Sequence, residues 1–202
     1  MKSVYNFIQN ESNIKEGDTI VLGVSGGPDS MVLLSIFNEL KVNMKINIIC
    51  AHVNHNIRKE SEEEQVFIEK YCNENNIPFE FMKIMEYGDD NFHNEARTIR
   101  YTFFEKIVNK YQAKFLATAH HGDDLIETIL MRIARGSSLK GYSGFSKVVN
   151  KDKYSIIRPL ITVTKDEILK FASENHIEYR IDKSNFKDVY TRNRYRNHVL
   201  PF

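Results

Sequence analysis

Hydrophobic runs alternate with helical periodicities along most of this chain of 202 residues. Continuous apolar runs, which are typical of buried strands, occupy residues 21–24, 45–53, 79–85 and 114–119. Apolar residues at helical spacing predict a helix over residues 94–111, and a capping-box pattern of Ser61 with Glu64 predicts one over residues 61–75. Further helices are expected over residues 31–40 and before Gly136, which ends the last of them. Strands that alternate with helices predict an α/β fold, a doubly wound and mostly parallel sheet with helices on both faces.

Two further segments flank this alternation. Val4, Phe7 and Ile8 stand at helical spacing and predict a short amphipathic helix near the first residue. From about residue 140 the pattern changes to a polar loop, and a helix is predicted over residues 164–175. We therefore expect a single domain over residues 1–202, with a core at about 17–140 and a basic carboxyl-terminal appendage at about 141–202.

Composition narrows the class of protein. A hydrophobic content of 42% with 27% charged residues is ordinary for a globular protein. The sequence shows no apolar run of membrane-spanning length and no signal peptide, so we expect a cytoplasmic protein with no membrane partner. Cys50 and Cys72 lack the spacing of a metal cluster and are predicted to be packing residues. The formal net charge of +1 gives no overall sign of nucleic-acid binding, and these patterns are compatible with a monomer or an oligomer.

The turn between the first strand and the first helix has the pattern of a phosphate-binding loop. Gly26 and Gly27 can adopt backbone conformations that let a ligand approach the main chain closely. The free amides and the dipole of the helix that follows favour negative charge, and Pro28 suits the first helical turn. The alternative interpretation is an ordinary strand-to-helix turn with a capping side chain.

Asp29 separates this loop from the Walker motif, which carries a lysine for the terminal phosphates. An acid repels a phosphate unless a cation lies between them, so we interpret Asp29 as a magnesium partner. Ser25 and Ser30 are interpreted as hydroxyl donors to the phosphates. The loop resembles the S-G-G-x-D-S signature of the PP-loop ATP pyrophosphatases. That resemblance implies ATP and magnesium as ligands, with ATP split into AMP and pyrophosphate while a substrate is adenylated.

A second group of polar residues follows the fourth predicted strand. Asp124 and Glu127 are three apart near the start of a helix, so both should lie on one face, with His120 at the same rim. Three interpretations stay open here: a metal site, a solvated acidic helix start, and an acidic pocket for a cationic substrate. Arg97 and Arg100 lie on another helical face and could offset developing phosphate charge.

The last stretch of the chain is locally basic. Its cationic side chains are Arg180, Lys183, Lys187, Arg192, Arg194 and Arg196. This stretch is either a solvated basic face or a strip that contacts RNA phosphates.

Six motifs follow one another along the chain. They are Ser25–Ser30, His52–His55 with Arg58, Glu95–Arg97 with Arg100, His120–Thr128 with Arg135, Arg158–Leu160, and Asp182–Asn185 with Arg192, Arg194 and Arg196. In this order, over nearly the whole chain, they resemble the bacterial tRNA(Ile)-lysidine synthetase family. The resemblance implies a PP-loop catalytic domain that uses ATP to adenylate oxygen 2 of the wobble cytidine in the CAU anticodon of tRNA(Ile). An amine of free L-lysine then attacks carbon 2, giving lysidine, AMP and pyrophosphate.

The resemblance also implies a role for each matching residue. The ATP site would consist of Ser25, Gly26, Gly27, Pro28, Asp29 and Ser30. Asp124 and Glu127 would hold the substrate lysine, with His120 and Arg100 near the adenylated base. The expected tRNA contacts are Arg58, Arg192, Arg194 and Arg196. Because family members continue into carboxyl-terminal domains that grip the tRNA, we expect this chain to lack those domains and to bind tRNA weakly.

Two rival functions remain open at this point. Another adenylating PP-loop enzyme, such as a tRNA thiolase, would need cysteines at its active site or around an iron–sulfur cluster, and the spacing of Cys50 and Cys72 fits neither. A sensor that holds ATP without turning it over would have no use for the paired acids Asp124 and Glu127.

Overall fold

The structure, a computed structural model, describes residues 1–56, 60–85, 92–181 and 191–199. These residues form a sheet whose strands are β1 (Thr19–Val24), β2 (Asn47–Asn54), β3 (Phe79–Lys83), β4 (Phe115–Thr118), β5 (Val148–Asn150) and β6 (Ser155–Ile157). The strand order is β3-β2-β1-β4-β6-β5. Neighbouring strands are parallel, except that β5 runs antiparallel to β6.

Helices connect the strands. They are α1 (Lys2–Asn6), α2 (Pro28–Asn43), α3 (Glu60–Glu74), α4 (Phe92–Lys110), α5 (Gly122–Arg135), α6 (Leu139–Tyr142), α7 (Lys165–Glu174) and α8 (Thr191–His198). A π-helical turn, Phe7–Glu11, continues α1, and a 3-10 turn, Pro159–Thr162, precedes α7. None of the helices in the described part of the chain has the length and apolar character needed to cross a membrane.

The core lies on both faces of the sheet. On one face, α2, α3 and α7 bury Leu33, Ile68 and Ile168 against the strands. On the other face, α4 buries Phe104 and Ile107. Successive residues of a strand point to opposite faces, so a strand covered on both faces must be apolar throughout, and the continuous apolar runs follow from this.

The order of the strands places a crevice beside the end of β1. The chain proceeds from β1 through β2 to β3 on one side and then returns to add β4 on the other side of β1. In sheets of this kind, ligands bind beyond the carboxyl ends of the strands where the order reverses. The loop that begins at Ser25 and the segment that begins at Ala119 leave the sheet at this point. Nδ1 of buried His52, at the same edge, lies 2.9 Å from the carbonyl oxygen of Val24 and joins β2 to β1.

The fold predicted from the sequence is confirmed. All four predicted strands and the helices between them are present, as are the amino-terminal helix and α7. Cys50 and Cys72 are free thiols, fully buried on one face of the sheet, as predicted for packing residues. The edge pair of β5 and β6 and the helix α8 were not predicted.

Candidate active site

In the turn between β1 and α2, no side chain of the N-cap residue caps the amides at the start of the helix. Gly26 has a φ of 84°, a left-handed conformation that glycine adopts without strain. Gly27 is the N-cap residue of α2 and makes no side-chain cap, and Pro28 begins the helix. The backbone amide of Ser25 donates to Oγ of Ser30 at 3.1 Å, and that hydroxyl donates to the carbonyl oxygen of Gly27 at 3.0 Å. The serines hold the loop, and the open helix start favours an anion site over the capped-turn interpretation.

Asp29, in the first turn of α2, contacts two side chains from other elements. Its Oδ1 accepts a hydrogen bond from Nζ of Lys165 at 2.6 Å, and its Oδ2 lies 3.9 Å from Nε2 of His121. Lys165 therefore supplies a cation beside the acid of the loop. The side chain of Asp29 remains 26% exposed, so the carboxylate is accessible from the crevice.

The donor set around Asp29 fits magnesium carried by a nucleotide. Magnesium is usually held by one or two carboxylates together with substrate phosphates and water, and Asp29 offers one accessible carboxylate beside the phosphate loop. Within residues 1–56, 60–85, 92–181 and 191–199, no group of three or more His, Cys, Asp or Glu side chains is placed to hold a metal.

Asp124 and Glu127 lie on one face of α5, as predicted, and the side chain of Glu127 is fully buried. Two arginines of α8 contact this pair. Nε of Arg196 donates to Oε1 of Glu127 at 2.6 Å, and Nε of Arg192 donates to Oε2. Oδ1 of Asp124 accepts from Nη2 of Arg192 at 3.0 Å and from Nη2 of Arg196 at 3.1 Å. The acidic pair thus binds cationic groups in this structure, and a buried carboxylate such as Glu127 requires such partners.

The pKa values of this cluster reflect close charge pairing. Burial acts to raise the pKa of Asp124, but the charges of His121 and Arg192 outweigh it and hold that pKa below its usual value. Burial acts to lower the pKa of Arg196, but its hydrogen bond to Glu127 outweighs burial and raises that pKa. Both groups therefore stay ionised near neutral pH.

His120 lies at the same rim but carries no charge at neutral pH. Burial is the main cause that lowers its pKa to about 4, and the positive charges of Arg158, Arg100 and Arg192 lower it further, while Asp124 opposes them. Its Nδ1 lies 3.0 Å from Oγ1 of Thr118, at the end of β4. A neutral imidazole in this position can offer a hydrogen bond to a base or accept a proton.

Two residues that the sequence interpretation did not select join the phosphate loop to the acidic pair. His121, 3% exposed, places Nε2 3.5 Å from Oδ2 of Asp124 and close to Asp29. Its backbone amide also donates to Oδ2 of Asp124 at 3.1 Å. Lys165 pairs with Asp29 and, through its backbone amide, donates to Asp123. His121 was adjacent to a selected residue and could have been included, whereas Lys165 lies in no motif.

The remaining predicted site residues lie in different parts of the structure. Arg100 is half-buried beside His120, and burial together with the charges of Arg97 and Arg192 lowers its pKa. On α8, the side chain of Arg194 is exposed, whereas the partly buried guanidinium groups of Arg192 and Arg196 contact α5. Of these three arginines of the predicted basic strip, Arg192 and Arg196 are therefore partly neutralised by the acids of α5. Arg58 and the motif at residues 182–185 lie outside the described residues.

Comparison with known proteins identifies the family of this chain. A family model described as the PP-loop domain matches residues 1–202. The tRNA(Ile)-lysidine synthase of Bacillus subtilis (strain 168) is 46% identical over 208 residues, which cover 100% of this chain and 44% of that relative. The enzyme of the same name from Geobacillus kaustophilus (strain HTA426) is 41% identical over 201 residues, which cover 96% of this chain and 43% of that relative. The chain thus spans less than half the length of these relatives.

Solved structures share the fold. The U34-tRNA thiolase NcsA from Methanococcus maripaludis, solved with its 4Fe-4S cluster, matches with a TM-score of 0.80 and 22% identity, over 98% of this chain and 72% of that chain. A glutamine-dependent NAD+ synthetase from Acinetobacter baumannii, solved with ADP, matches with a TM-score of 0.53 and 13% identity, over 85% of this chain and 30% of that chain. At these identities the likeness concerns the fold alone.

Proposed function

The chain belongs to the PP-loop family, and from that premise we propose that it ligates L-lysine to carbon 2 of the wobble cytidine in the CAU anticodon of tRNA(Ile), in the cytoplasm. Oxygen 2 of the cytidine attacks the α-phosphorus of ATP, and pyrophosphate leaves. An amine of lysine then attacks carbon 2, the bond between carbon 2 and the AMP oxygen breaks, and the amine loses a proton. The products are lysidine, AMP and pyrophosphate.

The ATP phosphates bind at the turn that precedes α2. The uncapped backbone amides at the start of α2 and the hydroxyl groups of Ser25 and Ser30 contact them. Gly26, Gly27 and Pro28 give the loop the backbone conformation that lets the phosphates come close to these amides. Asp29 would hold magnesium together with the phosphates, and magnesium bound there would supply positive charge beside the pyrophosphate. Lys165 supplies a second positive charge beside Asp29 and keeps this carboxylate oriented toward the loop.

The substrate lysine binds at Asp124 and Glu127, and this acidic pair is the observation on which the proposal depends. Both oxygens of Glu127 already accept hydrogen bonds from guanidinium groups, so the pair is built to hold nitrogen cations. The ammonium group of lysine must replace at least one of those contacts to enter. A lysine amine attacks only after it loses a proton, and Asp124, Glu127 and the neutral His120 are the groups placed to accept it.

The structure favours this proposal over a thiolase. Cys50 and Cys72 are fully buried beside each other on one face of the sheet, and burial raises the pKa of the Cys50 thiol well above its usual value. A buried, protonated thiol is a poor nucleophile and a poor iron ligand. Since the sequence contains two cysteines, it also cannot supply the four thiolates of a 4Fe-4S cluster from this chain.

Measuring the release of AMP distinguishes the proposed lysine ligation from the other candidate functions, an ATP sensor and a different adenylating enzyme. The protein is mixed with ATP, magnesium and a tRNA(Ile) transcript that carries the CAU anticodon, with and without L-lysine. We expect lysine to be required for multiple turnovers, with one AMP formed per lysine consumed. A sensor would release no AMP, and release that is equally fast without lysine would indicate a different adenylating enzyme.

A further inference from the structure

A cavity of about 380 Å³ lies next to the acidic pair, on the side where Arg192 and His120 are placed. Its volume falls in the range of pockets that bury small ligands. Five arginines line it: Arg97, Arg132, Arg135, Arg158 and Arg192. Among the residues that the structure describes, no aspartate or glutamate lines it. A concave surface with this composition attracts anions.

Two of the five arginines, Arg132 and Arg158, are held by backbone carbonyls, whereas Arg192 is ion-paired with Asp124 and Glu127. Nη1 of Arg132 donates to the carbonyl oxygens of Gly141 and Gly144, at 2.6 and 2.7 Å. Nη1 of Arg158 donates to the carbonyl oxygen of Ser146 at 2.6 Å. Backbone carbonyls orient a guanidinium group without cancelling its charge. These two positive charges are therefore positioned and remain available to a ligand.

Arg158 is the most informative of the five arginines. Its side chain is 6% exposed, and its Nε has no hydrogen-bond partner among the described residues. A buried donor without a partner is costly, and in a native protein it commonly marks a position that a ligand or water satisfies. The guanidinium carbon of Arg158 also lies 5.2 Å from the ring centre of Phe145, which is a wall of the same cavity.

Two aromatic side chains, Phe145 and His120, line the cavity beside the arginines. The ring of Phe145 packs edge-on against the ring of His120, with the ring centres 5.3 Å apart. Burial, with a smaller contribution from the nearby arginines, lowers the pKa of His120 to about 4, so that imidazole is neutral at pH 7. Aromatic rings beside arginines are the usual surface for unstacked nucleic-acid bases.

The geometry points to this cavity as the binding site for a single-stranded RNA segment, with backbone phosphates on the arginines and a base against Phe145 and His120. This inference rests on the proposed function and identifies the part of the chain that binds the RNA beside the reacting cytidine. It assigns the RNA contact to α4, α5, the loop before β5 that carries Phe145, and Arg158 at the end of β6, in addition to the carboxyl-terminal arginines. The ATP phosphates have their own site at the turn before α2.

The test uses Arg97→Gln with Arg135→Gln, because both side chains line the cavity and are exposed enough to change without loss of the fold. The matched control is Lys151→Gln with Lys170→Gln, which removes the same charge from exposed positions outside the cavity. Binding of an RNA hairpin with the CAU anticodon loop is measured by fluorescence anisotropy at several salt concentrations. ATP binding is measured in parallel by calorimetry.

We expect the cavity variant to lose roughly ten-fold or more in RNA affinity and its salt slope to flatten by about one to two phosphate contacts. ATP affinity should stay within about two-fold, and the control variant should change neither. An equal loss of RNA affinity in the control, or a loss of ATP affinity with RNA affinity intact, would overturn the inference. The proposed function is tested separately. If the cavity variant loses RNA binding but the wild-type protein forms no lysidine, this inference stands and the proposed function is refuted.

Discussion

Nε of Arg196 donates to Oε1 of Glu127 over 2.6 Å, and this contact ties α8 to the fully buried carboxylate of α5. The two residues are 69 positions apart in the chain. The helix that carries the carboxyl-terminal arginines is therefore part of the wall of the acidic pocket. A lysine that enters the pocket must compete with a guanidinium group of the protein itself.

Loss of this contact should lower stability. Arg196→Gln removes a hydrogen bond between charged groups and should reduce the free energy of unfolding by about 1.5–3 kcal/mol, toward the lower end because Arg192 still contacts Glu127. Urea denaturation provides the measurement. Arg194→Gln, on the exposed side of the same helix, is the matched control and should change the free energy of unfolding by less than about 0.5 kcal/mol. Equal effects of the two substitutions would contradict the role given to the Arg196–Glu127 contact.

The acidic pocket should determine the requirement for lysine. Glu127→Gln keeps the shape of the side chain but removes its charge, so the KM for lysine should rise by about one to two orders of magnitude while the KM for ATP changes little. Glu174→Gln, at an exposed position of α7, serves as the control. Steady-state AMP release at varied lysine and varied ATP measures both constants. A parallel rise in the two constants would instead indicate a metal or scaffold role for Glu127.

The acid of the phosphate loop should be essential for the use of ATP. Asp29→Ala removes a charge-assisted contact worth roughly 1.5–3 kcal/mol, so ATP turnover should fall by about one to two orders of magnitude. Asp166→Ala, at an exposed position beside Lys165, removes a similar acid and should leave turnover unchanged. If Asp29→Ala retains full turnover, Asp29 has no part in binding magnesium and ATP.

His120 should make stability depend on pH. Its pKa is 6.5 in an unfolded chain and about 4 in the folded protein, mainly because of burial. The unfolded state therefore binds a proton that the folded state does not, and stability is lost as pH falls from about 6.5 to about 4. The loss should reach up to about 3 kcal/mol. Urea denaturation at a series of pH values measures it.

Asparagine substitutions provide the comparison for this pH dependence. His120→Asn should flatten the dependence in that window, because asparagine has no titrating group. His176→Asn, at an exposed position of left-handed backbone that asparagine tolerates, should leave the dependence intact. A wild-type pH dependence in the His120 variant would show that another group causes the loss.

The central strands of the sheet could be predicted from the sequence, because a strand that is buried on both faces requires a continuous apolar run. The edge strands β5 and β6 have three residues each, too few to show a periodicity. The helix α8 has the sequence Thr-Arg-Asn-Arg-Tyr-Arg-Asn-His, with Tyr195 as its one large apolar side chain, so it shows no apolar stripe. Its contacts with α5 are ionic, and hydrophobic patterning does not detect such contacts.

The residues of the candidate site were selected where they form local motifs. The loop before α2 and the acidic pair of α5 were selected because the spacing of glycine, serine and acidic residues in them has a physical meaning. Arg192 and Arg196 are four apart on a helix, and that spacing could have suggested partners for two acids three apart on another helix. The pairing of Lys165 with Asp29 spans 136 positions and leaves no trace in local sequence. Such contacts require the fold.

Transfer of lysine to RNA tests the central claim most directly. The protein, in excess over a CAU anticodon stem-loop so that weak binding does not limit the yield, is incubated with ATP, magnesium and isotopically labelled L-lysine, and the RNA is analysed by mass spectrometry. We predict one labelled lysine on the wobble cytidine per AMP formed, and none on a hairpin whose wobble base is uridine. AMP formation without labelled cytidine, or equal labelling of the uridine hairpin, would contradict the account.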